Sequence, residues 1–225
     1  MSIVFEGVSV RFGEVSALSD VSLRLTERRI GVIGDNGSGK STFARLINGL
    51  VVPTTGRVSV EGRDTAVDGA DVRRRVGFVF QNADSQIVMP TVREDVAFGL
   101  TARGLSTREI TTKTDAALAR FGLAALADRP CFDLSGGEKQ LLALAGVCAL
   151  DPAWIVLDEP TTMLDRRRAK LAMEIFAGLP QKIVVVTHHV ELLTGFDRVI
   201  VIDRGRVVAD DAPGAAIARY LEQPS

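Results

Sequence analysis

Ile30-Gly31-Val32-Ile33-Gly34-Asp35-Asn36-Gly37-Ser38-Gly39-Lys40-Ser41 is the stretch on which the fold turns. Its first four residues form a short run of the kind buried on both faces of a sheet, and the next eight match G-x-x-x-x-G-K-[ST]. Apolar residues then recur at helical spacing from Ser41 to Leu50, until Pro53 stops them. Strand, phosphate-binding loop and helix are therefore expected in that order. Glycines allow positive φ and let the main-chain N–H groups of Asn36, Gly37, Ser38 and Gly39 converge on an anion at the positive end of the helix. Lys40 then reaches the β/γ oxygens, Ser41 is expected to ligate magnesium, and Thr42 is placed for an α-phosphate contact. The plain alternative is a glycine-rich turn without a ligand.

Outward from this loop, IVFEGVSVRF and EVSALSDVSLRLTERR alternate in the manner of antiparallel strands. Trp154 to Leu157, Ile183 to Val186 and Val199 to Ile202 are short β-branched runs separated by helical segments, as in a parallel sheet covered on both faces. Between Pro90 and Pro130 no such run occurs. Val92 to Leu100 and Ser106 to Phe121 are helical there, the second opening on the capping box Ser106…Glu109. A strand pair turning at Asp203-Arg204-Gly205 and a short helix over Ala215 to Leu221 complete an α/β reading with a helical insertion.

With 27 Lys+Arg against 28 Asp+Glu, general electrostatic affinity for nucleic acid or anionic lipid is not expected. Cys131 and Cys148 stand apart from any CxxC or Cys/His cluster, so neither a zinc site nor a disulfide framework is expected, and a reducing cytoplasm fits. The longest apolar stretches, such as Leu141 to Leu150, fall short of the ~20 residues of a membrane span, and MSIVFEGVSV lacks the features of a secretion signal.

Two further motifs carry chemistry. Ile155-Val156-Leu157-Asp158-Glu159 is a strand ending in two carboxylates, so Asp158 approaches a magnesium shell while Glu159, on the opposite pleat, can orient and polarise an attacking water. A solvated strand end before Pro160 is the alternative. Leu134-Ser135-Gly136-Gly137-Glu138 opens a long apolar helix, where Ser135 and Glu138 make a capping box and the glycines leave first-turn N–H groups open. On these residues alone, a simple cap and a second anion site are equally good readings.

The phosphate loop, LSGGEKQ, the Asp-Glu strand and Val186-Thr187-His188, in this order, resemble the nucleotide-binding subunit of an ABC transporter over nearly the whole chain. The resemblance implies a P-loop NTPase with a RecA-like core, an N-terminal antiparallel β subdomain and a helical insertion. One domain would cover 1–225, with 1–89 and 131–225 giving the β subdomain and core, and 90–130 most of the helical signature subdomain. It also implies ATP and Mg2+ as cofactors. Phe12 would stack on adenine, against the alternative of an ordinary strand aromatic. Gln81 would contact magnesium and the catalytic water, against that of a surface glutamine. Glu159, His188, Gln81 and Lys40 form the expected catalytic set, and Ser41, Gln81 and Asp158 the expected metal set. Asp165 belongs to a loop crossing the dimer interface, and His189 is a bystander. Two subunits would pack head to tail, so that Ser135, Gly136 and Gly137 of one meet the ATP held by the other.

Gln81 to Gly99 reads QNADSQIVMPTVREDVAFG and resembles the ATPases of energy-coupling factor (ECF) importers, which commonly carry QN-x-D-x-Q followed by P-T-V-x-E-D-V-A-F-G. This implies a homodimer or ATPase heterodimer, a transmembrane scaffold (T) subunit, a substrate-binding membrane (S) subunit, and residence at the cytoplasmic face of the bacterial inner membrane. A groove beside Gln81 to Met89 is expected to receive a scaffold helix, with Ile87, Val88 and Met89 supplying apolar area; a loop and helix merely filling that groove is the alternative. A compact chain with LSGGEKQLLALA resembles the ATPase of bacterial biotin transporters, with cobalt, nickel or another vitamin as the alternative cargo. The rival of another class is a cytosolic ABC ATPase acting on nucleic acid or ribosomes, for whose usual insertions this length leaves no room; no nucleic acid partner is expected. Met163 and Leu141 depart from the family's small residue and arginine, and both Arg73-Arg74-Arg75 and Arg166-Arg167-Arg168 read as solvated helix faces.

Overall fold

The computed structural model describes residues 1–222. In chain order the elements begin with β1 (Ile3–Phe12), β2 (Val15–Leu25), β3 (Arg29–Ile33), α1 (Lys40–Ile47), β4 (Thr55–Val60), β5 (Arg63–Asp64), α2 (Gly69–Arg75) and β6 (Val76–Val79). They continue with α3 (Val92–Thr101), α4 (Thr107–Arg120), α5 (Gly136–Ala149), β7 (Trp154–Asp158) and α6 (Arg166–Gly178). Last come β8 (Lys182–Val186), β9 (Arg198–Asp203), β10 (Arg206–Asp211) and α7 (Pro213–Leu221). The chain divides into two compact units, the first being Met1–Val76, Val156–Glu159 and Lys182–Ser225, and the second Gly77–Ile155 and Pro160–Gln181.

The first unit holds an antiparallel sheet in the order β2-β1-β4-β5 and a sheet in which β10, β9, β3, β8 and β7 follow one another. Strand β3 pairs in parallel with β8 and with β9, while β10 returns antiparallel to β9. Every residue of β3 is buried, as a central parallel strand requires, and the β-branched runs of β8 and β9 bury Ile183 to Val186 and Val199 to Ile202 alike. The β9–β10 turn falls at Arg204 and Gly205, with φ 45° and 76°. On the antiparallel side Phe5 stacks on Phe43 of α1, ring centroids 4.5 Å apart, which seats the helix behind the phosphate loop.

The second unit is built on helices. Both α3 and α4 open on complete capping boxes, Thr91…Glu94 and Ser106…Glu109, and each packs against α5. The α5 helix is apolar almost all round, with Leu141, Leu142, Ala143, Leu144 and Ala145 buried, so it forms the centre of this cluster. Segment 90–130 lies wholly within the second unit, which extends to Ile155 because the buried α5 binds α3 and α4 together. Leu141, the departure noted above, is simply one of these core residues.

Candidate phosphate-binding and hydrolysis site

The loop between β3 and α1 is pressed so closely on its surroundings at Gly34 and Gly39 that a side chain is excluded at both. A β-carbon on Gly34 would lie 2.0 Å from the carbonyl oxygen of Ile202, and one on Gly39, at φ 107°, 2.4 Å from that of Ala17. The β9–β10 turn supports the loop from below, Gly205 N–H donating to Ser38 O at 2.8 Å. Lys40 is buried, and its ammonium donates to Gly34 O and Asp35 O, both at 2.8 Å, bridging the loop it is expected to serve. Burial lowers its pKa, against the opposing pull of Glu159, Asp158 and Asp35. Ser38 Oγ is also buried, with no hydrogen-bond partner. A buried hydroxyl without a partner and a caged ammonium fit a polyphosphate bound at this loop.

Two carboxylates stand at the end of β7. Asp158 is 1% exposed and accepts a hydrogen bond from Ser41 Oγ at 3.0 Å. Burial raises its pKa above the usual carboxylate range, with the Ser41 bond and Arg45 pulling the other way. Glu159 takes φ 51°, a strained value for a non-glycine residue, and its N–H donates to Val186 O at 2.9 Å. That turn aims its buried side chain at His188, whose Nδ1 lies 2.9 Å from Glu159 Oε1. His189 instead pairs with Glu191 at 3.3 Å. Ser41 Oγ and Asp158 present the oxygen donors that Mg2+ prefers, and among the described residues no group of three or more His, Cys, Asp or Glu could hold a metal by itself. Such a donor set suits an ion that takes its remaining ligands from phosphates and water.

Phe12 ends β1 on the surface, 55% exposed, so its ring is not core. Thr42 follows in the first turn of α1. Helix α7 also reaches the loop, Tyr220 Oη donating to Asp35 Oδ1 at 2.9 Å, a contact that nothing in the sequence pattern announces.

The remaining expected site residues belong to the second unit. Gln81 is exposed just after β6. Ser135 caps α5 with a complete box, so the structural half of the earlier pair of readings holds: its Oγ donates to Glu138 Oε2 at 2.7 Å, and its N–H donates to the same oxygen at 2.8 Å. Those two bonds hold the Glu138 carboxyl below its usual range. Gly136 is exposed in the same first turn, where a β-carbon would meet Met163 Cε at 3.2 Å, while Gly137 is buried. Asp165 caps α6, its Oδ1 accepting the Arg168 N–H at 2.9 Å. The Arg168 side chain is drawn out of the solvated face assigned to its triplet, reaching back to Asp165, three residues earlier, and to Ser135, which only the fold brings near.

An open groove of about 390 Å³ runs between Ile87 to Pro90 on one side and Cys131 and Phe132 on the other. Val88 is 61% and Phe132 79% exposed, and Lys139 Nζ meets Asp84 Oδ1 at 2.6 Å along the wall. Phe132 was not singled out in the sequence, although an aromatic in a polar loop just before LSGG is the kind of signal that marks a contact surface.

The ABC transporter family model matches residues 18–162. The chain is 54% identical over 222 residues, 99% of each chain, to the biotin transport ATP-binding protein BioM of Rhizobium etli. It is 43% identical over 203 residues to the energy-coupling factor transporter ATP-binding protein EcfA1 of Caldanaerobacter subterraneus subsp. tengcongensis, covering 87% of this chain and 73% of that one. Among solved structures it resembles cbiO1 of Clostridium perfringens, part of the ABC transporter complex cbiONQ, with a TM-score of 0.85 and 30% identity over 97% of this chain and 92% of that one. The phosphate loop, the carboxylate-ended strand and the family match agree, and the chain belongs to the ATP-binding subunits of ABC transporters.

Proposed function

We propose that this protein is the ATP-hydrolysing subunit of an ECF-type importer whose cargo is biotin, working as a dimer at the cytoplasmic face of the bacterial inner membrane. The observation that carries the cargo is the 54% identity to a biotin transport subunit across 99% of both chains. A second reading, cobalt import, draws on the likeness to cbiO1 at 30% identity. Substrate contacts would lie on other subunits, so the cargo follows from relatives and not from a pocket in this chain.

In this reading the N–H groups of Asn36, Gly37, Ser38 and Gly39 and the Lys40 ammonium hold the phosphates, with Thr42 beside them and Phe12 stacked on adenine. Mg2+, when bound through Ser41, Asp158 and Gln81, would neutralise charge on the β- and γ-phosphates. Glu159 orients the attacking water and accepts its proton as the water oxygen bonds to the γ-phosphorus and the bond to the β-phosphate bridging oxygen breaks, releasing ADP. His188, already 2.9 Å from Glu159, holds that carboxylate in place and faces the γ-phosphate. Ser135, Gly136 and Gly137 close on the nucleotide of a second copy, and Asp165 crosses the seam. One subunit alone therefore lacks part of the clamp and hydrolyses slowly. ATP favours the closed dimer, and loss of the γ-phosphate lets it part.

The groove beside Ile87 and Phe132 would take a short apolar helix of the membrane scaffold. Affinity purification from membranes tests the whole reading. A small substrate-binding membrane subunit and a scaffold subunit should co-purify, and cells carrying the set should accumulate labelled biotin in an ATP-dependent way. Accumulation of cobalt and not biotin would establish the second reading, and recovery of the ATPase without integral membrane subunits would refute both.

A further inference from the structure

Arg168 occupies an unexpected place. Arg166 and Arg167 are exposed, but Arg168 is half-buried and touches three groups. Its Nη1 donates to Ser135 Oγ at 3.3 Å, Nη2 lies 3.8 Å from Glu138 Oε1, and Nε lies 3.9 Å from Asp165 Oδ2. A β-carbon on Gly137 would come within 2.8 Å of Nη1. One guanidinium thus ties the cap of α5 to the cap of α6.

A cation in the first turn of a helix opposes the macrodipole, and this one lies at the start of two helices. Glu138 and Asp165 are the counter-charges beside it. The hydroxyl of Ser135 is saturated: it donates to Glu138 Oε2 at 2.7 Å and accepts from Glu138 N and from Arg168 Nη1, each at 3.3 Å. To donate to a phosphate oxygen, that hydroxyl must turn away from Glu138. The carboxylate then keeps two partners, the Ser135 N–H at 2.8 Å and the Arg168 guanidinium. Without Arg168 the released carboxylate would keep the Ser135 N–H alone and lose its neighbouring positive charge.

We infer that Arg168 is a positioning residue for the contact between Ser135 and the nucleotide of a second copy: it fixes Ser135, steadies Glu138 when the hydroxyl turns, and links that event to Asp165. The inference rests on the sandwich arrangement proposed above. Its mark is that Arg168 acts only through Ser135 and only when two copies meet.

The test uses the full chain carrying Glu159→Gln, with ATP-dependent dimerisation followed by light scattering. Compared are Arg168→Ala, Arg168→Lys, Ser135→Ala and the Arg168→Ala/Ser135→Ala pair, with a fluorescent ATP analogue reporting nucleotide affinity of the monomer. Arg168→Ala should weaken dimerisation roughly tenfold, as for loss of a charged hydrogen bond. Lysine, a single ammonium in place of a fork, should restore only part, and Arg168→Ala should add little once Ser135 is alanine. Monomer affinity and thermal midpoint should hold, as they would not if the arginine served stability alone. Undiminished dimerisation in Arg168→Ala, or additive effects in the double variant, overturns the inference. Should Arg168→Ala not fold, the same cycle run with Arg168→Lys decides by the same criteria. If the Glu159→Gln parent stays monomeric with ATP while still binding the analogue, the sandwich reading itself is wrong, and the role of Arg168 falls with it.

Discussion

Glu159 holds a left-handed backbone conformation at a strand end and a 2.9 Å contact with His188, which is strain placed at the carboxylate proposed to orient the water. Replacing it by glutamine keeps the shape and removes the proton acceptor. Turnover is therefore expected to fall by roughly 100-fold or more with ATP affinity retained, as read by phosphate release against titration with a fluorescent analogue. Asp158 yields a prediction in pH. Burial raises its pKa in the folded state, so between the ordinary carboxylate value and that raised value the folded chain holds more protons than the unfolded one. Stability contributed by this group is then lost as pH climbs through the window. Asp158→Asn should accordingly melt higher than the parent at pH 7 in the absence of nucleotide, and the two curves should converge below about pH 4; a lower melting point for the variant at pH 7 would contradict the assignment. These two carboxylates were legible because a β-branched run ending in Asp-Glu has few other uses. Arg168 was not, since its partners Ser135 and Glu138 lie about thirty residues earlier in the chain and only packing brings them together.

Helices α3, α4 and α5 each begin with a capping box, and in two of the three the Ser…Glu spacing announced the start to within one residue. Strand β5 escaped notice because two residues are too few to show periodicity, and of the seven-residue helix α2 only the Arg73-Arg74-Arg75 face was read. Removing the α5 cap by Ser135→Ala should cost about 1 kcal/mol of stability, measurable by urea unfolding. The loop preceding α1 is less forgiving. Gly39→Ala combines a φ of 107° with a 2.4 Å approach to Ala17 O, so nucleotide affinity should fall by an order of magnitude or more before the fold is lost, as titration of the folded variant would reveal.

At the scale of the molecule, the groove between Ile87 to Pro90 and Phe132 sits in the second unit, while Lys40, Asp158, Glu159 and His188 sit in the first. The proposed docking groove lies in a different unit from the phosphate loop, so assembly should be separable from ATP binding at that loop. Val88→Asp should abolish co-purification with membrane subunits and leave ATP affinity within about twofold; normal assembly of that variant would show that the groove is not the docking surface. The order of the motifs and the parallel sheet could be read from residue types alone, because glycine spacing and β-branched runs report local geometry. The grouping of 77–155 with 160–181 could not, as it depends on how the apolar faces of α5 share neighbours. One contact spans most of the sequence: Tyr220 Oη bonded to Asp35 Oδ1, 185 positions away. It makes α7 a brace for the phosphate loop, so enzymatic removal of Tyr220 with the residues after it should register as looser ATP retention, and nucleotide affinity becomes a gauge of whether that brace is in place.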